Sequence, residues 1–282
     1  MFKNILTPVD GSPDAWIALD QGIELAREND STIHALFVAD SKLIEAPYWV
    51  ADMPESMVIE ANPALTRAAV ATGRRVTEHG QEVLADAQIR CDAAGVRCET
   101  EYVEGVVPNI ILERAKNADL VVMGRRGEGA EWAGPQLGSV LETVIRHAQT
   151  PVLTTQAEMR PIKRILVAFD GSERSVDALE IAAGMASHKG RSIVLLTVDD
   201  GHVDRRKAWE MGKALLAKQG LTATYLFGVG HATEEILKAA KDEECDLIAL
   251  GSYGHSHFME TFFGSTVDEV LHRAISPVLV CR

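Results

Sequence analysis

Hydrophobic positions along the chain fall into two kinds of segment that alternate. Short runs dense in Ile, Leu and Val occupy 3–9, 32–39, 96–103, 119–123 and 151–155, and a second set occupies 163–169, 192–198, 221–227, 246–250 and 277–281. Unbroken apolar runs of this length suit strands buried on both faces of a parallel sheet. Between them the apolar positions recur at three and four residues, the spacing of one helix face; Val176, Leu179, Ala183 and Ala186 form one such stripe. Ser and Asp stand where the helices after each first strand begin, in positions that suit an N-cap. Five strands with intervening helices, twice over, predict an α/β fold of two tandem doubly wound parallel five-stranded sheets flanked by helices.

The two sets are copies of one another. KNILTPVDGS at 3–12 returns as KRILVAFDGS at 163–172, and the offset of 160 holds through Asp40 and Asp200. DLVVMGRRG at 119–127 returns as DLIALGSYG at 246–254, and GSVLETVIRHAQTPVL at 138–153 returns as GSTVDEVLHRAISPVL at 264–279. The offset has by then fallen to 127 and then 126, so the second copy lacks about 33 residues in its middle and one in a later loop. Two blocks repeated in the same order mark a duplication. The polar stretch QAEMRPIK at 156–163 separates the copies, giving domains of 1–157 and 158–282.

Composition narrows the class. The 282 residues are 46% hydrophobic, 24% charged and 5% aromatic, the make-up of a globular chain long enough for two cores. No apolar run reaches the 18 or so residues of a membrane-spanning helix, and MFKNILTPVDGS has no basic-then-apolar leader. A cytoplasmic protein without a membrane partner is expected. The net charge of −13 is uneven: 1–157 hold 13 Lys and Arg against 23 Asp and Glu, and 158–282 hold 15 against 18. Neither half offers the basic face that nucleic acid requires, and the acidity is read as solubility. Cys91, Cys98, Cys245 and Cys281 are scattered without a CxxC pair, which points to structural thiols rather than disulfides or a metal site.

Candidate chemistry concentrates in two loops. In an open parallel sheet, ligands sit beyond the carboxyl ends of the strands, where the strand order reverses. Asp10-Gly11-Ser12 and Asp170-Gly171-Ser172 follow the first strand of each copy. After the fourth strand of the second copy come Gly251-Ser-Tyr-Gly254, nine residues, and Gly264-Ser265 at a helix start. Glycine lets backbone N–H groups approach an anion closely, and a helix N-terminus attracts phosphate. Ser265 is read either as a hydroxyl donor to phosphate or as a helix cap. Asp10 and Asp170 are read either as ligand contacts or as Asx turns and caps. The first copy has Gly124-Arg125-Arg126-Gly127 and then ten residues before Gly138-Ser139, with Trp132 and Pro135 in the loop. That extra residue disturbs the spacing, and Arg125 and Arg126 offer charge to compensate. His255 and His257 have no carboxylate or Cys at ligand spacing and are read as loop rather than metal ligands. The connection 41–62, with Tyr48, Trp49, Met53 and Met57, is read as a lid, a subunit contact or a loop packed on its own domain.

Gly-x2-Gly-x9-Gly-Ser after a strand, preceded far upstream by a strand ending Asp-Gly-Ser, resembles the ATP-binding signature of the universal stress proteins. The likeness covers the whole chain as two consecutive family domains. It implies the strand order 3-2-1-4-5, with strands 1 and 4 side by side and the two motif loops facing each other. It implies that Ala168, Asp170 and Val198 meet adenine and ribose while Gly251, Gly254, Gly264, Ser265 and Thr266 cradle the phosphates. In the first copy the matching positions are Pro8, Asp10, Val38, Gly124, Gly127, Gly138, Ser139 and Val140, where the longer loop predicts weaker binding. Leu141 and Val267 depart from the pattern, standing where the family commonly has a hydroxyl. ATP is the implied ligand, with a divalent cation such as Mg2+ held mainly by its phosphates. The fifth strands of the two copies are expected to pair antiparallel, with Val152 and Val278 near the junction, and whole chains to pair again as a homodimer.

No Walker A, HExxH or G-x-S-x-G pattern is present. Without a catalytic base, arginine finger or metal cage, the pattern favours binding and conformational signalling in a stress response, with at most slow hydrolysis. Two other classes stay open. One is a dimerising interaction scaffold of the same fold without nucleotide. The other is an ATP-using enzyme of related fold, against which the lack of an HxGH or SGGxDS signature near the first strand counts.

Overall fold

The computed structural model describes residues 1–41, 63–127, 137–201, 204–252 and 264–282. The first half runs β1 (Asn4–Pro8), α1 (Pro13–Asn29), β2 (Thr32–Asp40), α2 (Pro63–Ala93), β3 (Arg97–Gly105), α3 (Val107–Ala115), β4 (Leu120–Met123), α4 (Ser139–His147) and β5 (Val152–Thr154). The second runs β6 (Arg164–Ala168), α5 (Glu173–Lys189), β7 (Ser192–Asp199), α6 (Arg206–Lys218), β8 (Ala223–Val229), α7 (Ala232–Asp242), β9 (Leu247–Gly251), α8 (Ser265–Arg273) and β10 (Val278–Cys281).

Each half has the strand order 3-2-1-4-5, and every strand pair within a half is parallel. The halves do not keep separate sheets. They join into one ten-stranded sheet, β3-β2-β1-β4-β5-β10-β9-β6-β7-β8. The junction is antiparallel, with Val278 opposite Thr154, Leu279 opposite Leu153 and Val280 opposite Val152. The reason is physical: both fifth strands are apolar, and an open apolar edge invites pairing with whatever strand is available. Here the duplicated partner is on the same chain, where tethering raises its effective concentration.

Side chains alternate across this sheet into two layers. Ile5, Ile33, Val122, Leu153, Ile165, Val167 and Leu279 pack with residues of α1, α2, α5 and α6. Leu6, Val121, Val152, Leu166, Ile248, Val278 and Val280 pack with residues of α3, α4, α7 and α8. Both clusters run through both halves, so the core is continuous across the junction. The stripe expected on α5 is present, with Leu179, Ala183 and Ala186 buried and Val176 packed at the margin.

Polar groups lock the junction as well. Arg125 of the first half donates to Gln156 Oε1 at 2.9 Å and to the carbonyls of Ala274 and His272 at 3.1 and 3.2 Å. It thereby satisfies the carbonyls that the end of α8 leaves unpaired and meets the negative end of that helix. Arg282 answers from the other half by donating to the carbonyl of Arg146 near the end of α4. Farther along, Arg191 donates to the carbonyls of Ile162 and Met185 at 2.7 and 3.1 Å and pairs with Glu28 of α1 at 2.6 Å. The side chains of that pair are only 6% and 10% exposed.

Candidate functional site

β1 pairs with β4 on one side and β2 on the other, and β6 likewise lies between β9 and β7. The chain order reverses at these pairs, and the crevice that such a reversal opens lies at the carboxyl ends of the strands. Pro8 and Ala168 are the last residues of β1 and β6. Val38 and Val198 stand near the ends of β2 and β7, paired with Val103 and Gly228. Gly251 ends β9, and Gly124 follows β4 by one residue.

The Asp-Gly-Ser turns are built alike. Asp10 Oδ1 accepts from Ser12 N at 3.0 Å, and Asp170 Oδ1 accepts from Ser172 N at 2.9 Å and from its hydroxyl at 2.5 Å. Both are Asx turns, so the local alternative for these carboxylates is realised. Ser12 and Ser172 then cap α1 and α5, accepting from Ala15 N and Ser175 N at 3.2 and 3.3 Å. Gly11 and Gly171 adopt φ of +86° and +82°, and a Cβ on Gly171 would lie 2.9 Å from that of Ala208. Glycine is therefore needed twice over, for the backbone angle and for the approach of α6. Burial opposes the charge on Asp170, but the bonds from Ser172 and Ser175 and the nearby Arg205 outweigh it and hold the carboxyl below its ordinary value. Arg205 also donates to the Asp170 carbonyl at 3.1 Å, while His79 of α2 stands 3.3 Å from the Asp10 carbonyl.

The glycine-rich loops do more than one job. A Cβ on Gly124 would fall 2.6 Å from the backbone of Asp14, and one on Gly251 would fall 2.7 Å from the backbone of Arg174 and Ser175. These first glycines let the strand ends pass the first turns of α1 and α5, a packing requirement that exists without any ligand. Gly127 faces the other motif: its Cβ would meet Asp10 Oδ2 at 2.6 Å. The two loops of the first half therefore touch. The equivalent Gly254 lies outside the described residues, as do His255, His257, Trp132, Pro135 and all of 41–62 except Ser41.

Gly138 and Gly264 are the N-cap residues of α4 and α8, and neither helix has a side-chain cap. Ser139 and Ser265 are the first helical residues and are exposed, followed by the half-buried Val140 and Thr266. The capping role for Ser265 is thus set aside, since Gly264 holds that position. Val267 N and Asp268 N turn back to the Gly264 carbonyl at 3.0 and 3.2 Å. The N–H groups of Ser265 and Thr266 are those that a helix start cannot pair within itself. The halves differ at the cap glycine. Gly138 donates to the Arg125 carbonyl at 2.9 Å, and its Cβ would lie 3.3 Å from that oxygen. Among the described residues, the nearest atom to a Cβ on Gly264 is the Ser252 carbonyl oxygen at 4.0 Å.

The compensating charge expected of Arg125 and Arg126 needs correction. Arg125 is turned into the junction, where burial lowers its pKa, and Arg126 is tied through N and Nε to Asp14 Oδ2 at 3.2 and 3.4 Å. His79, Arg205 and Asp14 carry no sequence signal for these contacts, because each acts from an element that periodicity alone does not orient. Among the described residues, no three His, Cys, Asp or Glu side chains are grouped to hold a metal. A cavity of about 390 Å³ lies away from the motif loops, lined by His34, Glu99, Glu101 and Arg114 among others.

Comparison with known proteins agrees with the duplicated architecture. A profile of the universal stress protein family matches twice, at 1–156 and 161–282. A universal stress protein of Synechocystis is 28% identical over 288 residues, covering 100% of both chains. One of Methanocaldococcus jannaschii is 34% identical over 160 residues, covering 55% of this chain and 83% of its own. The crystal structure of a universal stress protein from Archaeoglobus fulgidus superposes with a TM-score of 0.74 at 22% identity, covering 99% of this chain and 96% of that one. With the duplicated sheet, the two motif turns and a profile match in each half, the chain belongs to the universal stress protein family.

Proposed function

We propose that the chain, organised as units 1–157 and 158–282, binds ATP at the carboxyl ends of β6 and β9. On this reading it acts by binding and conformational signalling, with a divalent cation such as Mg2+ carried on the phosphates. The observation that carries it is the start of α8: a cap glycine without a side-chain cap, whose Cβ would stand 4.0 Å from the nearest atom of the described residues, an exposed Ser265 and helix-start N–H groups. Such an end offers backbone donors and a positive dipole to phosphate. Asp170 and the ends of β6 and β7 stand on the same side of the sheet, where the base and ribose would lie. α8 also supplies a route for a signal. Its first turn faces the proposed phosphates, and its last carbonyls are held by Arg125 from the other half. In the first half, the Gly138 N–H is already used by Arg125, so a nucleotide there is held less well. The same reading takes the chain as cytoplasmic and as a homodimer through surfaces that include 41–62.

Gly264→Asp tests the site cleanly. The backbone there has an ordinary φ of −57°, a Cβ would clear every described residue by 4.0 Å, and Asp is a better N-cap than Gly. The variant should fold with stability unchanged or raised by a few tenths of a kcal/mol. Its carboxylate would stand where a phosphate must approach, so ATP affinity measured by titration calorimetry should fall by roughly 100-fold or more, about 2.7 kcal/mol. Undiminished affinity in the folded variant, or two equal sites per wild-type chain, would contradict the proposal.

A further inference from the structure

Cys91 and Cys98, seven positions apart in sequence, are brought together at the end of α2. Cys91 lies in the last turn of that helix and is fully buried. The chain then reverses through Gly95, at φ +67°, with Val96 N donating to the Cys91 carbonyl at 2.9 Å and Gly95 N to the Asp92 carbonyl at 3.0 Å. This turn returns Cys98, on the edge strand β3, to the face that α2 covers, where it is partly exposed. There Cys98 packs against the buried cluster that contains Cys91.

The duplicated half shows that the fold does not need sulfur here. The same turn recurs with Leu221 N on the Leu216 carbonyl at 3.1 Å and Gly220 N on the Ala217 carbonyl at 3.0 Å. Counted back from that turn, Leu216 and Ala223 occupy the places of Cys91 and Cys98. Ordinary hydrophobes close the second copy, and only the first carries a thiol pair.

We propose that Cys91 and Cys98 are a redox-modification site, a thiol pair that hydrogen peroxide or an alkyl hydroperoxide oxidises to an intramolecular disulfide. The attacking group is Cys98, which is the one that solvent reaches. The Cys91 side chain favours its thiolate, which the Ala35 backbone favours further and which burial, Asp92 and Glu99 oppose; the net effect lowers its pKa. Cys91 moves the opposite way, first through the Cys98 side chain, then through burial and the nearby charges of Cys98, Asp92 and Asp20. Cys245 and Cys281 are pushed up to about 11 and about 12 by burial.

In the first step the Cys98 thiolate attacks one peroxide oxygen and the O–O bond breaks. With one proton taken up, water leaves from hydrogen peroxide, or an alcohol from an alkyl hydroperoxide, and Cys98 holds a sulfenic acid. The negative charge that kept the proton on Cys91 is then gone. Cys91 sulfur attacks the sulfenic sulfur, the S–O bond breaks, and the hydroxide leaves with the Cys91 proton as a second water. Two thiols lose two electrons, one peroxide gains them, and an external dithiol reverses the change.

Trypsin cuts after Arg90, Arg97 and Arg114, so the disulfide would join peptides 91–97 and 98–114. The reduced full chain is exposed to hydrogen peroxide, its remaining thiols are alkylated, and the unreduced digest is read by mass spectrometry. The expected result is that linked pair, with Cys245 and Cys281 alkylated. Cys98 should react roughly 10-fold or more faster than either of those thiols. Cys91→Leu should stop at a Cys98 sulfenic acid that dimedone traps, and Cys98→Ala should leave Cys91 reduced. Both variants take their residues from the second half's own turn, which keeps the fold safe. Four intact thiols after peroxide, oxidation of Cys245 or Cys281 as fast as Cys98, or a sulfinic Cys98 without the linked peptide would overturn the site.

Discussion

Val278→Asp should destabilise the chain by more than about 4 kcal/mol and expose the edge that joins its halves. Val278 is fully buried, lies between Thr154 and Ile248 in the sheet, and packs in the layer beneath α4 and α8. Its carbonyl also accepts from the Thr154 hydroxyl at 3.3 Å. A carboxylate there would stand in an apolar layer, so either its charge stays unsolvated or the strand leaves the sheet. Denaturant unfolding gives the loss, and size-exclusion chromatography shows the aggregates that an uncovered apolar edge forms. Val278→Thr, similar in shape, should cost only about 1–3 kcal/mol for its hydroxyl. A well-folded Val278→Asp chain within 1 kcal/mol of wild type, by the same scale, would mean that β5 and β10 do not form the seam.

Glu28→Ala should cost about 3–5 kcal/mol, because it strands a buried guanidinium. Arg191 keeps its bonds to Ile162 and Met185 in this variant but loses its only described carboxylate. The duplicated position shows how far this contact is an addition to the ancestral unit. Ser31 satisfies the Phe2 carbonyl at 2.8 Å in the first half, as Arg191 satisfies that of Ile162 in the second. Only the arginine is long enough to reach on to the other half. A double variant, Glu28→Leu with Arg191→Met, should recover much of the loss, since apolar side chains of similar size need no such partner. If Glu28→Ala unfolds at the wild-type denaturant midpoint, the pair contributes nothing and the halves are held by the sheet and core alone.

The parts of this fold legible in the sequence were those written in local pattern. Strand runs such as 163–169 and 246–250 matched β6 and β9 to within a residue or two, because a strand buried on both faces must be apolar throughout. The Asp-Gly-Ser turns were equally local: Asp170 and Ser172 are two residues apart, and their bond follows from that spacing. The order of the strands and their fusion across the junction were not local, and the order came from family likeness rather than periodicity. Contacts such as Arg125 with His272 join residues 147 apart, and nothing in either neighbourhood announces them. For the same reason Arg125 looked like a charge for phosphate while it is a clamp on α8. The glycine spacing assigns Gly124 and Gly251 to a cradle, and the crowding by α1 and α5 that also requires them appears only in three dimensions. Cys91 and Cys98 looked scattered because the turn through Gly95, not a motif, brings them together.

Hydrogen exchange of the whole chain with and without Mg-ATP bears most directly on where the nucleotide sits. Ligand-bound N–H groups at the start of a helix exchange more slowly than the fraying ends they replace. Saturating ATP should slow exchange at Ser265–Asp268 and around Asp170–Ser172, with a smaller effect at Ser139–Glu142 in the first half. Unchanged exchange at the start of α8, or protection confined to the first half, would contradict a nucleotide site at the ends of β6 and β9.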